Sequence, residues 1–177
     1  MLPGIKTLKL KRVEDQRGFF CEVFRENSDE FKDFRFVQDN LVLSRQRYTF
    51  RGFHGQLAPA AQSKLISVFQ GSIIDFALDP NPESKTYGRI FSQKLSGDQP
   101  EQLLIPANYL HGYLTLEEDT LVSYKVDNYW SQANEYGVNC RDDTLGINWP
   151  CDIEEVSLSS KDQQLPFLSD LTDFLDN

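Results

Sequence analysis

Short runs rich in β-branched and aromatic residues, separated by turn sequences, restrict the fold of this 177-residue chain more than any other feature. The separators include Gln70-Gly71, Asp79-Pro80-Asn81-Pro82 and Ser96-Gly97-Asp98, which is turn chemistry. Many short strands over residues 36–130, without long amphipathic helical patterns, are typical of an antiparallel barrel or jelly-roll sandwich. The runs read FRFVQDNLVLS, KLISVFQ, SIIDFALD, YGRIFSQKLS, EQLLIP and DTLVSYKVDNYW. The sequence therefore predicts an all-β fold.

Helix is expected only in short pieces. Residues 27–34 predict a short helix with Ser28 as its N-cap and acidic residues in its first turn. The stretch LSDLTDFLDN, residues 168–177, predicts another at the C-terminus. No internal repeat or low-complexity linker divides the chain, so we expect one domain over residues 1–177.

The charge balance excludes some classes of partner. The chain has 18 Lys and Arg against 27 Asp and Glu, a formal net charge of −9, which argues against a nucleic-acid or membrane-surface binder. No apolar run is long enough for a signal peptide or a membrane span, so a cytoplasmic protein is expected. The three cysteines, Cys21, Cys140 and Cys151, form no CxxC pair, which makes a disulfide framework or structural zinc site unexpected.

The alternation of side chains along a strand places several candidates on faces. Tyr124 and Trp130 fall on the same face of the run from residue 120 to 130. Lys64 begins a strand in which Ile66 and Val68 share its face, so this lysine lies at a barrel rim or faces a polar cavity. Arg51 and His54 have opposite parity and would point oppositely in a regular strand, and a bulge at Gly52 could bring both to one side.

The two histidines, His54 and His111, are the candidates for metal binding or proton transfer. The chain has no HxH motif, and a two-histidine, one-carboxylate iron site with Glu22 or Asp75 remains an alternative to the favoured metal-free site. A catalytic histidine needs a carboxylate that orients it. The sequence does not choose between four candidates for that carboxylate: Asp75, Asp127, Asp142 and Asp170.

Nine segments, in this order and spacing, resemble the dTDP-4-dehydrorhamnose 3,5-epimerase family. The resemblance runs from about Lys9 to Asp170. The segments are DQRGFFCEVF, FVQDN, RGFHGQ, QSKLISVFQGSIIDFALD, SKTYG, QLLIPANYLHGY, YKVDNYW, GINWP and PFLSD. The resemblance implies a cupin-type jelly-roll barrel that needs no metal or other cofactor, and a homodimer that exchanges N-terminal strands.

The resemblance also implies a reaction and residue roles. The substrate is a nucleotide-linked 4-keto-6-deoxyhexose, most simply dTDP-4-dehydro-6-deoxyglucose, whose keto group acidifies the hydrogens at C3 and C5. His54 is the expected base, with Asp170 as its orienting carboxylate, and Tyr124 is the expected acid. Lys64 is expected near the enolate oxygen. The remaining positions are expected to bind the sugar nucleotide, some of them from the neighbouring subunit: Arg17, Phe20, Glu22, Gln38, Asn40, Arg51, His111, Trp130 and Glu135.

The sequence departs from the family at Gly55, where the family usually has a bulky residue after the histidine. This departure leaves the particular sugar and nucleotide open. The alternatives are epimerisation at C3 alone, a non-catalytic cupin that binds sugar nucleotides, and a metal oxygenase.

Overall fold

The computed structural model describes residues 2–171, and antiparallel strands dominate them. The predicted all-β jelly roll is confirmed, with twelve strands between residues 6 and 137. They are β1 (Lys6–Lys9), β2 (Arg12–Asp15), β3 (Gly18–Cys21), β4 (Gln38–Ser44), β5 (Phe50–Gln56), β6 (Lys64–Gln70), β7 (Ser72–Leu78), β8 (Ile90–Ser96), β9 (Glu101–Ile105), β10 (Leu110–Thr115), β11 (Thr120–Val126) and β12 (Glu135–Gly137).

Two five-stranded sheets form the sandwich. One has the order β1-β9-β6-β11-β4 and the other β12-β5-β10-β7-β8, while β2 and β3 form a separate hairpin. The chain passes repeatedly from one sheet to the other, so residues distant in sequence meet between them. Apolar side chains from both sheets share one buried cluster, among them Ile66, Val122, Ile73 and Leu95. Apolar side chains therefore fill one part of the space between the two sheets, and polar residues occupy the other part.

The C-terminal segment, residues 138–171, covers the outer face of the second sheet. Phe50, Phe53 and Phe76 of that sheet form one buried cluster with Val138 and Leu168 from the later segment. Burial of such side chains stabilises a fold by roughly 1.5–3 kcal/mol each. This packing fixes the C-terminal segment against β5.

The helices are short. They are the 3-10 turns Asp29–Phe31, Gln132–Asn134, Asp143–Leu145, Ile153–Glu155 and Leu168–Asp170 and one α-helix, α1 (Ser160–Gln163). The helix predicted over residues 27–34 is reduced to Asp29–Phe31, and the Ser28 side chain makes no capping hydrogen bond. Of the helix predicted over residues 168–177, the part beyond 171 lies outside the described residues. No helix among those described is long and apolar enough to cross a membrane.

The predicted irregularity at Gly52 is present in β5. His54 pairs with His111, but Arg51 pairs with Tyr113, so the register between β5 and β10 shifts by one residue. Gly52 has φ +127°, and a Cβ there would lie 2.4 Å from the Gly112 Cα. Only glycine fits this conformation and this close approach. The shift brings Arg51 and His54 to the same cavity.

Candidate active site

Most of the predicted site residues line two cavities that share His54, Lys64 and Tyr124. The volumes are about 170 Å³ and about 240 Å³. The first cavity adds Gln38, Asn40, Trp130 and Glu135. The second adds Arg51 and His111. Two sheets and the C-terminal segment thus contribute to one polar region.

His54 is paired with a carboxylate, but not with the predicted one. Its Nε2 lies 2.7 Å from Asp162 Oδ1. Asp170 instead ends a 3-10 turn, is exposed, and accepts a hydrogen bond from the Ser169 hydroxyl. The assignment of Asp170 as the orienting residue was therefore wrong. Because an ionised carboxylate only accepts, His54 Nε2 carries the proton and Nδ1 is left as the basic nitrogen.

Asp162 is held by local helix chemistry. The Ser159 hydroxyl caps α1 by accepting from the Asp162 backbone N–H at 3.1 Å. This is the pattern of Ser or Thr followed three residues later by an acid, which marks a helix start. That signal was present in SSKD, residues 159–162, and it predicts a short helix here. Packing then fixes this helix beside β5, which local sequence does not reveal.

The other three carboxylates considered for His54 have different partners. Asp75 is fully buried and bonds His111 Nε2 at 3.0 Å. Asp127 accepts from the Ser63 N–H, and Asp142 caps a 3-10 turn through the Thr144 N–H. Burial raises the pKa of Asp75, while His111 and Lys64 oppose the rise. Each histidine of the chain is thus paired with an aspartate through Nε2.

The pairing of both histidines with aspartates is relevant to the alternative of a two-histidine, one-carboxylate iron site. Among residues 2–171, no group of three or more His, Cys, Asp or Glu side chains is arranged to hold a metal ion. The two carboxylates weighed as iron ligands are both engaged: Glu22 bonds Arg25 and Asp75 bonds His111.

Lys64 is the buried cation of the site. It is only 7% exposed, and its Nζ donates to the His54 carbonyl oxygen at 3.0 Å. Burial lowers its pKa to about 8, against the opposing attraction of Asp75 and Glu135. Of the two predicted locations, the structure places Lys64 in the polar cavity rather than at an exposed rim.

Tyr124 faces the same region from β11. Thr120, Val122 and Val126, which share its face, are all buried, as the alternation predicts. Burial raises the Tyr124 pKa, and Arg51 partly opposes the rise. The phenol therefore stays protonated near neutral pH and can give a proton.

Polar and aromatic groups surround the cavity mouth. The amide side chains of Gln38 and Asn40 bond each other at 2.9 Å. Glu135 forms an ion pair with Lys161, a residue that the sequence did not single out. Trp130 is 54% exposed and offers a free aromatic face. These groups suit a ligand that is partly aromatic and partly polar.

Three predicted binding residues lie away from this region in the single chain. Arg17 pairs with Asp15, and Glu22 pairs with Arg25. Phe20 is 70% exposed on the hairpin and borders a different, largely apolar cavity. Within one chain, the hairpin does not bring these side chains to His54.

Gly55, where the sequence departs from the family, lines the first cavity but has no open space for a side chain. A Cβ at this position would lie 2.7 Å from Leu110 Cδ2 and 2.8 Å from Tyr136 Cε1. Tyr136 pairs directly with Gly55 across β12 and β5. Its ring occupies the space that a side chain at 55 would need.

A group that can accept a proton, a group that can donate one and a buried cation therefore meet inside a jelly roll. This combination places the chain among the cupin-type enzymes. A family profile described as dTDP-4-dehydrorhamnose 3,5-epimerase matches residues 1–170. The chain belongs to this family.

Individual relatives support the same family membership. The dTDP-4-dehydrorhamnose 3,5-epimerase of Sinorhizobium fredii is 41% identical, over 94% of this chain and 86% of that protein. The Bacillus anthracis enzyme, solved with TDP and PPi bound, has a TM-score of 0.87 and 40% identity over 93% of this chain and 94% of that one. A 3′-monoepimerase from Streptomyces bikiniensis, solved with dTDP-quinovose, has a TM-score of 0.88 and 28% identity. The match covers 98% of this chain and 87% of that one.

The buried charge of Lys64 predicts a pH-dependent stability. Its folded-state pKa of about 8 lies below the ordinary 10.5, so the unfolded chain binds one more proton between these values. Stability therefore rises with pH in this window, and the desolvation cost is complete below pH 8. Relative to Lys64→Met, the wild type should gain about 1 kcal/mol of unfolding free energy per pH unit from 8 to 10. Urea unfolding of both proteins measures this difference. A difference that does not change with pH would contradict the burial of the ammonium group.

Proposed function

We propose that this chain epimerises a dTDP-linked 4-keto-6-deoxyhexose at C3 and C5, converting dTDP-4-dehydro-6-deoxyglucose to dTDP-4-dehydrorhamnose without a cofactor. The observation that carries the proposal is the His54–Asp162 pair in a cavity shared with Lys64 and Tyr124. Family membership supports the substrate class.

His54 is the proposed base. With Nε2 bonded to Asp162, Nδ1 takes the proton from the carbon next to the ketone. The imidazolium that forms is stabilised by the Asp162 carboxylate, which lies 2.7 Å from Nε2 and is itself nearly buried. Low exposure strengthens this attraction relative to water.

Lys64 and Tyr124 complete the proposed proton transfer. Removing a proton at C3 or C5 places negative charge on the 4-keto oxygen, where the Lys64 ammonium group stabilises it. Tyr124 returns a proton to the opposite face, which inverts the carbon. The raised Tyr124 pKa keeps this proton in place until the enolate forms.

The remaining cavity groups are proposed to hold the nucleotide. Arg51 carries a forked guanidinium suited to diphosphate oxygens, and His111 is proposed to contact the sugar. Trp130 offers its exposed ring to the base. Gln38, Asn40 and Glu135 supply polar contacts around it. The acidic protein would thus meet an anionic ligand through a local cluster of Arg51 and Lys64.

A second copy of the chain is proposed to complete the site. Exposed apolar side chains lie on β4 and on the hairpin, including Leu41 at 66% and Phe20 at 70%. Burying them in a homodimer that exchanges N-terminal strands would remove this apolar surface from water and carry Arg17, Phe20 and Glu22 into the partner's cavity. We further propose that residues 1–177 act as one domain in the cytoplasm, consistent with three free cysteines.

Hydrogen exchange with solvent tests the reaction. In D2O, turnover of dTDP-4-dehydro-6-deoxyglucose should place deuterium at both C3 and C5 of the sugar, seen by NMR. His54→Ala should lose about 10²–10⁴-fold in rate and keep ligand affinity within a modest factor. Deuterium at C3 alone would favour the alternative of a C3-specific enzyme, which the similarity to a 3′-monoepimerase supports. Ligand binding without any exchange would instead indicate a non-catalytic binder.

Mixed dimers test the shared site. With an exchanged hairpin, heterodimers of His54→Ala with Arg17→Ala/Phe20→Ala, isolated with two tags, would contain one site with both defects and one with neither. If the hairpin serves the partner, they should recover about half of the wild-type rate. The two parent homodimers serve as controls. Heterodimers no more active than their parents would contradict an exchanged hairpin.

A further inference from the structure

A buried hydroxyl on the wall of the His54 cavity has no hydrogen-bond partner among the described residues. Within residues 2–171, four buried side-chain polar atoms lack one: Arg12 Nε, Ser28 Oγ, Gln102 Oε1 and the Tyr113 hydroxyl. Among these four residues, Tyr113 is the one that lines the cavity containing His54, Lys64 and Tyr124. It is 3% exposed.

The strands hold Tyr113 in the centre of the site. On β10 it pairs with Arg51 of β5 on one side and with Asp75 of β7 on the other. Its ring belongs to the apolar cluster between the sheets, and lies 6.1 Å from the His111 ring. The ring is therefore fixed by packing, and the hydroxyl is its polar end.

The nearest candidate partner is otherwise engaged. A contact with the Ser44 hydroxyl lowers the Tyr113 pKa, but its geometry falls short of a hydrogen bond. Ser44 Oγ accepts from Arg51 Nε at 3.1 Å instead. Burial raises the Tyr113 pKa to about 12, so the hydroxyl keeps its proton at neutral pH. Within residues 2–171 this protonated hydroxyl therefore has no hydrogen-bond acceptor.

An unpartnered buried hydroxyl destabilises a fold, and native proteins keep few of them without a use. We propose that the Tyr113 hydroxyl donates a hydrogen bond to an oxygen of the bound sugar and so is a substrate-binding residue of this enzyme. The inference rests on the proposed function. Arg51 and Tyr124, which are both proposed to engage the ligand, lie close enough to the hydroxyl to affect its pKa and line the same cavity.

The sugar is favoured over the nucleotide as the acceptor. Tyr113 lines the cavity that contains His111, the proposed sugar contact, and is absent from the lining of the cavity with Trp130 and Glu135. The latter two residues are the proposed contacts of the base. A donor on the Tyr113 side therefore reaches the sugar end of the ligand.

The Tyr113→Phe variant tests this by removing only the hydroxyl. By calorimetry, affinity for dTDP-6-deoxyglucose, which lacks the keto group and does not react, should fall about tenfold, as expected for one hydrogen bond. Affinity for dTDP alone should not change. The melting temperature of the ligand-free variant should equal or exceed that of the wild type, because no protein hydrogen bond is lost.

Tyr109→Phe is the matched control. Tyr109 is equally buried, at 3% exposed, but its hydroxyl donates to the Pro3 carbonyl oxygen at 2.9 Å. This variant should melt about 2–4 °C lower, as a loss of about 1 kcal/mol produces in a protein of this size. It should bind both ligands as the wild type does.

The possible results separate the inference from the proposed function. Unchanged sugar-nucleotide affinity in Tyr113→Phe, an equal loss for dTDP alone, or a lower melting temperature of the free protein would each overturn the role of Tyr113. Failure of the wild type to bind either ligand would overturn the proposed function and this inference together.

Discussion

Strand β5 contributes side chains both to the outer apolar cluster and to the inner cavity, and the site depends on how the strand does this. Phe50 and Phe53 pack in the outer apolar cluster, while Arg51 and His54 line the inner cavity. Strict alternation would place one member of each pair on the wrong side, because both pairs are separated by three positions. The register shift at Gly52 resolves this conflict.

The outer cluster also determines which carboxylate reaches His54. Val138, Leu145, Val156 and Leu168 pack against the second sheet, and the chain between them carries α1. This packing sets Asp162 at 2.7 Å from His54 Nε2. Apolar burial far from the chemistry thus fixes the orientation of the proposed base. Lys64, buried and bonded to the His54 carbonyl, ties the same strand to the other sheet.

The sequence predicted the fold class because strand runs and turn chemistry are local, whereas the resemblance to the epimerase family supplied most of the cavity residues. Alternation grouped Tyr124 with its buried neighbours and pointed to a bulge at Gly52, but it left two locations open for Lys64. The sequence failed for Asp170, since several acids were eligible and only the packing of the C-terminal segment selects Asp162. The surroundings of Gly55 are equally invisible in the sequence, because Tyr136, 81 positions away, fills the space beside it. The unpartnered Tyr113 hydroxyl has no sequence signal, because partnership is a property of the folded structure.

The account's central claim is that Asp162 fixes His54 as a base acting through Nδ1. Nitrogen-15 NMR of histidine-labelled protein measures this directly, since the chain has two histidines and His111→Gln assigns the signals. The account predicts that neutral His54 carries its proton on Nε2 in the wild type and in Asp170→Asn, and that Asp162→Asn loses this preference. A proton on Nδ1 in the wild type, or loss of the preference in Asp170→Asn alone, would contradict it.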